Sequence, residues 1–387
     1  MTAMPRLDDA RRGGLAPWTY FSPAFLEIEK EELFRKHWQL ACHASDVPDP
    51  GDWRTFDVAG ERALIVRGKD GAVRAFHNVC RHRGSRVAAG EKGSCKSAQV
   101  CPFHGWSYGL DGSLRAVPQA KTFPKLDAER HGLPPLESEI WNGFVFVRFK
   151  PGPQPSVAAL MGAHAAEFAG FGLASYVPLS PIGNEEMPVN WKAVRDVDNE
   201  GYHVPVAHPA LHDLYGHAYH DGGLENGVAR SEGRLAGNST ALWSVRNYLK
   251  HREQRIELED GSRNSWTYFG LFPNLVIMLY PEIMGFYQEI PLAADRTIQR
   301  MGYYQPASGS RAARAARYLA LRIDRATGAE DTQLIKWSWE SMRSSGFQGL
   351  ILSDLEAGVR DWHDRIREIL PAAAEAREPP HVGPLRP

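Results

Sequence analysis

Apolar positions along the chain change period more than once. Residues 25–38 (FLEIEKEELFRKHW) carry apolar side chains at helical spacing with charges between them, which predicts an amphipathic helix. Beyond it the spacing shortens to that of strands. The runs 63–67 (ALIVR) and 73–78 flank Lys69-Asp70-Gly71, and an Asp-Gly pair between apolar runs predicts a tight hairpin. Leu110-Asp111-Gly112-Ser113-Leu114 repeats the signal, and 144–149 (FVFVRF) closes the β-rich stretch. The pattern predicts a helical segment over 1–38 and one small antiparallel β domain over 39–150.

Pro151-Gly152-Pro153-Gln154-Pro155 is stiff and helix-breaking, and marks a boundary. Past it, periodicity predicts helices over 157–168, 194–204, 311–325, 331–343 and 355–370. Strands are predicted over 266–270, 275–280 and 286–291. Helices set against an antiparallel sheet make 151–387 an α+β domain.

At 387 residues, length agrees with two domains. With 24% charged residues and a net charge of −1, nothing global points to nucleic acid or membrane. The first fourteen residues are polar and Arg-containing, without the apolar core of a secretory leader, and no run of about eighteen apolar residues occurs. The expectation is a cytoplasmic protein. The basic run at 311–317 reads as a solvated helix face.

Two short segments carry the first chemistry: Cys80-Arg81-His82-Arg83-Gly84 and Cys101-Pro102-Phe103-His104-Gly105-Trp106. Each offers one thiolate and one imidazole from a glycine-containing turn. Two cysteines and two histidines are the ligand set of a Rieske [2Fe–2S] cluster, with thiolates on one iron and imidazoles on the other. Structural zinc is the competing reading, but zinc modules pair cysteines on one turn and histidines on another. The interleaved order here suits a cluster gripped by two loops. Of the other cysteines, Cys42 and Cys95 read as free thiols in a reducing compartment, a disulfide between them being the alternative.

A second site is suggested by 190–209, NWKAVRDVDNEGYHVPVAHP. It holds His203 and His208, with Glu200 three residues before the first, on one face if the segment is helical. Two histidines and a carboxylate make a facial triad for non-haem Fe(II), which leaves positions for O₂ and substrate. Such an iron needs single electrons, and a Rieske centre supplies them.

Together these motifs resemble the catalytic α subunit of the Rieske non-haem iron oxygenases, the aromatic-ring-hydroxylating family with its quaternary-ammonium relatives. CRHRG…CPFHGWSYGLDG is similar to the family's cluster signature and NWK…EGYHVPVAHP to its mononuclear-iron signature. The resemblance implies an α+β fold: a small all-β Rieske domain followed by a helix-grip antiparallel-sheet catalytic domain. It implies Cys80, His82, Cys101 and His104 as cluster ligands, and His203 and His208 on the iron. Asp331 would be the third iron ligand, in an acidic pair with Glu330 opening a helix, with Asp354 as the alternative. Trp339 departs from the pattern, standing where the family commonly has Gln. Glu200 takes the place of the bridging acid, which in the family joins an iron-ligand histidine to a cluster histidine, here His104, of the next chain in a cyclic trimer.

The activity so implied is that of a terminal oxygenase using O₂ and NAD(P)H-derived electrons from a separate reductase, directly or through a ferredoxin. No G-x-G-x-x-G follows a strand, so the nucleotide site belongs to another protein. The substrate class is a small molecule, an aromatic or heterocyclic acid or an N-methylated betaine, hydroxylated or oxidatively demethylated. Tyr202, Leu211, Leu214, Tyr215, Trp266, Tyr268, Leu275, Ile277, Trp337 and Trp339 are candidate walls of its pocket. A pure electron-transfer protein is the rival reading, and it leaves everything past Pro155 without a role.

Overall fold

The computed structural model describes residues 13–235, 241–252, 258 and 260–380, so most of the polar N-terminal stretch lies outside the described residues. The chain forms two compact units. One comprises 34–162 with 172–177; the other comprises the chain up to Leu33, 163–171 and 178–387.

The first unit is built from three small antiparallel sheets. One joins β1 (Gln39–His43), β9 (Glu137–Trp141) and β10 (Phe144–Arg148). A second joins β2 (Asp52–Val58), β3 (Glu61–Arg67), β4 (Val73–His77) and β5 (Lys92–Ser94). The third joins β6 (Ala98–Val100), β7 (Ser107–Gly109) and β8 (Leu114–Ala116). Both Asp-Gly hairpins form, each with its glycine at φ +80° where other residues are strained. The core between the second and third sheets is apolar: Trp53, Leu64, Phe76 and Tyr108 pack around the Cys80 and Cys101 side chains.

The second unit begins with α1 (Pro23–Glu29), which passes into one turn of π-helix at Lys30–Phe34, shorter than the single helix predicted over 25–38. Its main sheet runs in the order β17-β16-β15-β14-β13-β12. These strands are β12 (Tyr219–Glu225), β13 (Val228–Arg234), β14 (Ser265–Leu271), β15 (Leu275–Tyr280), β16 (Ile283–Ala293) and β17 (Arg296–Gln305), with β11 (Gly183–Met187) pairing β17. Beside it α2 (Trp191–Asp198) and α4 (Pro209–Tyr215) both pack on α6 (Arg311–Ser341), with α3 (Val204–Ala207) linking the first two and α5 (Trp243–His251) also lying on α6. α7 (Ala357–Ile369) packs on β12.

The sequence predicted two helices where α6 is one of 31 residues. Its buried stripe runs Ala313, Ala316, Leu319, Ala320, Ile323 and resumes at Ile335 and Trp339. Between them the same stripe carries Asp324, Thr327, Gly328, Asp331 and Thr332, which line a cavity. Apolar periodicity therefore lapses where the helix is continuous, and Asp331 lies in the helix interior rather than at its start.

Candidate metal centres

The two cysteine-histidine loops are built alike. In each, the cysteine N–H donates to the carbonyl five residues on, Ser85 at 2.7 Å or Trp106 at 2.8 Å. The glycine N–H donates back to the cysteine carbonyl, Gly84 at 2.9 Å and Gly105 at 3.0 Å. Both glycines sit at φ +75°, a conformation that favours glycine. This shared turn buries the thiols of Cys80 and Cys101 in the apolar core and turns His82 and His104 outward. The imidazole rings stand 4.5 Å apart, with His82 stacked flat on Trp106.

These residues fit an iron–sulfur cluster. His82 Nδ1 is buried and has no hydrogen-bond partner, as expected of a nitrogen reserved for a metal. Burial pushes the Cys80 thiol up, opposed by the Tyr108 hydroxyl 3.3 Å from its Sγ. Tyr108 also accepts from the Arg81 N–H at 3.0 Å. It can thus donate to the sulfur, a supporting role that sequence reasoning missed. No disulfide joins Cys42 to Cys95, and Gln99 Nε2 donates to Cys95 Sγ at 3.3 Å.

The second centre forms where α2 ends. Asn190 caps that helix by accepting from Lys192 N–H at 3.0 Å. The helix stops at Asp198, not at 204 as its periodicity predicted, so Glu200 and His203 lie in a turn rather than on a helix face. They still meet: Glu200 accepts from the His203 N–H at 3.1 Å and its other oxygen bonds His203 Nδ1. His203 and His208 each sit immediately before a short helix with proline in its first turn, α3 and α4. Proline's fixed φ makes each a firm start, which sets both imidazoles.

His203, His208 and Asp331 converge. The two Nε2 atoms are 3.0 Å apart, and Asp331 Oδ1 is 2.9 Å from that of His208 and 3.6 Å from that of His203. Donors about 2.1 Å from one ion and at right angles stand about 3 Å apart, so the spacing fits a facial triad. Asp331 Oδ1 is buried, and despite its nearness to His208 it is not aligned as a hydrogen-bond acceptor. The three ligand atoms lie within 4.8 Å of one another, close enough to share one ion. Behind them, Glu200 holds Nδ1 of His203, and Glu330 Oε2 holds Nδ1 of His208 at 2.8 Å. Glu330 had been read only as Asp331's neighbour. Asp354 is exposed, 3.8 Å from Arg360, and takes no part.

Without metal, these carboxylates hold protons on the rings. Burial lowers the His203 pKa, but Asp331 and Glu200 outweigh it and raise it to about 10. Burial raises Asp331, and the two histidines bring it below its ordinary value.

The triad opens into a cavity of about 160 Å³, below the roughly 300–1,000 Å³ of drug-sized sites, and so sized for a small molecule. Five tyrosines line it: Tyr219, Tyr268, Tyr280, Tyr287 and Tyr303. Of the predicted walls, Leu211 and Tyr268 line this cavity. Tyr202 and Trp337 are exposed, Trp339 packs on Phe21, and Leu214, Tyr215, Trp266, Leu275 and Ile277 are core.

Residues 169–372, more than half of the chain, match the family model of the ring hydroxylating alpha subunit (catalytic domain). The chain belongs to that family. The chain also matches the Rieske [2Fe-2S] domain model over 37–127. It is 27% identical over 358 residues to the carnitine monooxygenase oxygenase subunit of Escherichia coli (strain K12), covering 89% of this chain and 90% of the relative. Over 196 residues it is 36% identical to the chloroplastic choline monooxygenase of Spinacia oleracea, 49% of this chain and 44% of the relative. The quaternary ammonium Rieske monooxygenase CntA shares the fold, with a TM-score of 0.77 at 23% identity, over 95% of this chain and 99% of that one. The chain is therefore an oxygenase, not an electron carrier. Its cofactors are a Rieske cluster and a mononuclear iron, its cosubstrate is O₂, and oxygenase subunits of this kind work with a separate reductase. No helix among the described residues is long and apolar enough to cross a membrane.

Proposed function

We propose that this chain is the terminal oxygenase of a cytoplasmic system that oxidatively demethylates a small quaternary ammonium compound. Cys80, His82, Cys101 and His104 hold the cluster, and His203, His208 and Asp331 hold the iron. When bound, the iron activates O₂ with electrons passed singly by the cluster. One oxygen atom enters an N-methyl C–H bond to give a hydroxymethyl group. The other leaves as water, with two electrons drawn from NAD(P)H through the reductase, directly or by way of a ferredoxin, and two protons, one released from NAD(P)H and one taken from solvent. The hydroxymethylammonium then loses formaldehyde and a proton, leaving a tertiary amine.

The observation that carries this reading is the tyrosine-walled cavity at the triad, since aromatic faces attract a substituted ammonium. Relatives named for carnitine and choline, both trimethylammonium compounds, support it. Aromatic acids lack the positive charge those faces select.

We also infer a cyclic homotrimer in which Glu200 bonds His203 in its own subunit and His104 in the next. A carboxylate between two imidazole N–H groups would fix both rings and make a short polar path. Apolar side chains are exposed beside both centres, Phe103 next to His104 and Tyr202 and Val206 next to His203, as a subunit contact requires.

Oxygen uptake with a surrogate reductase tests the substrate class. Choline, carnitine and glycine betaine are compared with benzoate-type acids, and formaldehyde is measured. Stoichiometric formaldehyde from an N-methylated cation is expected; coupled uptake with the aromatic acids alone would refute the proposal.

A further inference from the structure

One carboxylate in the cavity has no part in holding the iron. Asp324 lies on α6 seven residues before Asp331, two turns and about 10 Å away on the same face. Its Oδ1 accepts a hydrogen bond from the Tyr280 hydroxyl at 2.8 Å. Its Oδ2 is buried and has no hydrogen-bond partner among the described residues. Burial pushes this carboxyl up to about 7, the Tyr280 hydrogen bond opposes that, and no cation among the described residues contributes.

The groups around it are aromatic. Tyr268, Tyr280 and Tyr303 line the cavity with it, and Trp266 stacks behind Tyr280 with ring centres 3.8 Å apart. Burial first, then the charge of Asp324, raises the pKa of all three phenols, so the rings are neutral. Among the described residues Arg195 is the one guanidinium or ammonium lining the cavity, and it already faces Asp198 at 3.7 Å and Glu289 at 3.8 Å.

A buried carboxylate is stable as an ion only when a cation meets it. Here the chain supplies the carboxylate and the aromatic faces but withholds the cation. We propose that Asp324 is the counter-ion of the substrate's charged nitrogen and so holds its N-methyl groups in the cavity that the iron triad opens into. The spacing of about 10 Å along the helix leaves room for one methylated nitrogen between Asp324 and Asp331. This rests on the quaternary-ammonium reading above and adds the residue that selects the charge.

The test is calorimetric binding of choline and of its neutral carbon isostere, 3,3-dimethylbutan-1-ol, to the iron-loaded protein. The wild type should prefer choline roughly tenfold or more. Asp324→Asn should lose most of that preference, keeping only what the aromatic faces supply, while binding the isostere as before, with iron content and the cluster's visible spectrum unchanged. Asp324→Glu should regain part of it. A wild-type protein that binds both probes equally overturns the proposal, whatever the variants do. If N-methylated cations are demethylated yet Asp324→Asn keeps the full preference, the counter-ion assignment falls and the function stands. If neither probe binds and no cation is turned over, both fall.

Discussion

The two metal centres use imidazoles in opposite electrostatic settings. The cluster loops carry Arg81, Arg83 and Arg86, and no carboxylate bonds either ring among the described residues. Desolvation, then the charges of His82 and Arg83, hold His104 below its ordinary pKa. At the triad, Glu200, Glu330 and Asp331 crowd two half-buried or buried rings, and His203 is raised to about 10. At neutral pH, then, His104 presents a neutral nitrogen to a metal, while His203 keeps a proton that the iron must displace. The same carboxylates that hold that proton in the empty site orient and enrich the ligands in the loaded one.

The sharpest way to break this contrast is Asp331→Ala. Iron should fall from about three to about two per chain, product formation should drop to background, and the cluster spectrum should persist. The exposed Asp354, changed to Ala, should alter none of these. Exchange of those two outcomes would reassign the third ligand. Glu200→Gln should leave both metals in place yet slow turnover about 100-fold, because the proposed path between subunits loses its charge. Ordinary turnover in that variant would remove Glu200 from electron transfer.

A pH series on protein stripped of its mononuclear iron but retaining the cluster probes the stored proton directly. His203 is protonated below about 10, so raising pH lowers the competition. Apparent Fe(II) affinity should rise about tenfold per pH unit between pH 6 and 7.5 for each proton displaced. The cluster spectrum should not change over that range. A flat iron affinity would show that the carboxylates do not hold the ring charged.

How much was legible in the sequence follows from the same difference. The cluster loops are self-contained turns of five or six residues whose hydrogen bonds close locally, so order and spacing sufficed. The iron ligands come from two distant segments, and only the histidine pair is local. Asp331 was proposed from the family resemblance alone, and the helix that carries it was split in two because polar cavity-facing positions interrupt the apolar stripe of α6. The cavity walls were mostly missed for a related reason. Val276, Met278 and Tyr280, and Gln299, Met301 and Tyr303, alternate along β15 and β17 with every second side chain inward. Which face is inward depends on pairings between strands. β12, β13 and β17 also mix polar residues into that face, which removes the alternation a strand search needs.

Glu330 gives the smallest and most discriminating test. Adjacent residues on a helix do not share a face, yet Glu330 reaches His208 Nδ1 at 2.8 Å while Asp331 reaches Nε2 of the same ring at 2.9 Å. One helix thus addresses both nitrogens of one imidazole. Accepting from Nδ1–H leaves Nε2 unprotonated for iron, and Glu330 is partly exposed, so solvent screens its charge. Glu330→Ala should weaken iron binding about tenfold, and Glu330→Gln, which keeps an acceptor, should weaken it less. Equal losses in both variants would mean that charge rather than ring orientation is what Glu330 provides. No loss in either would leave it a surface acid with no hold on the metal.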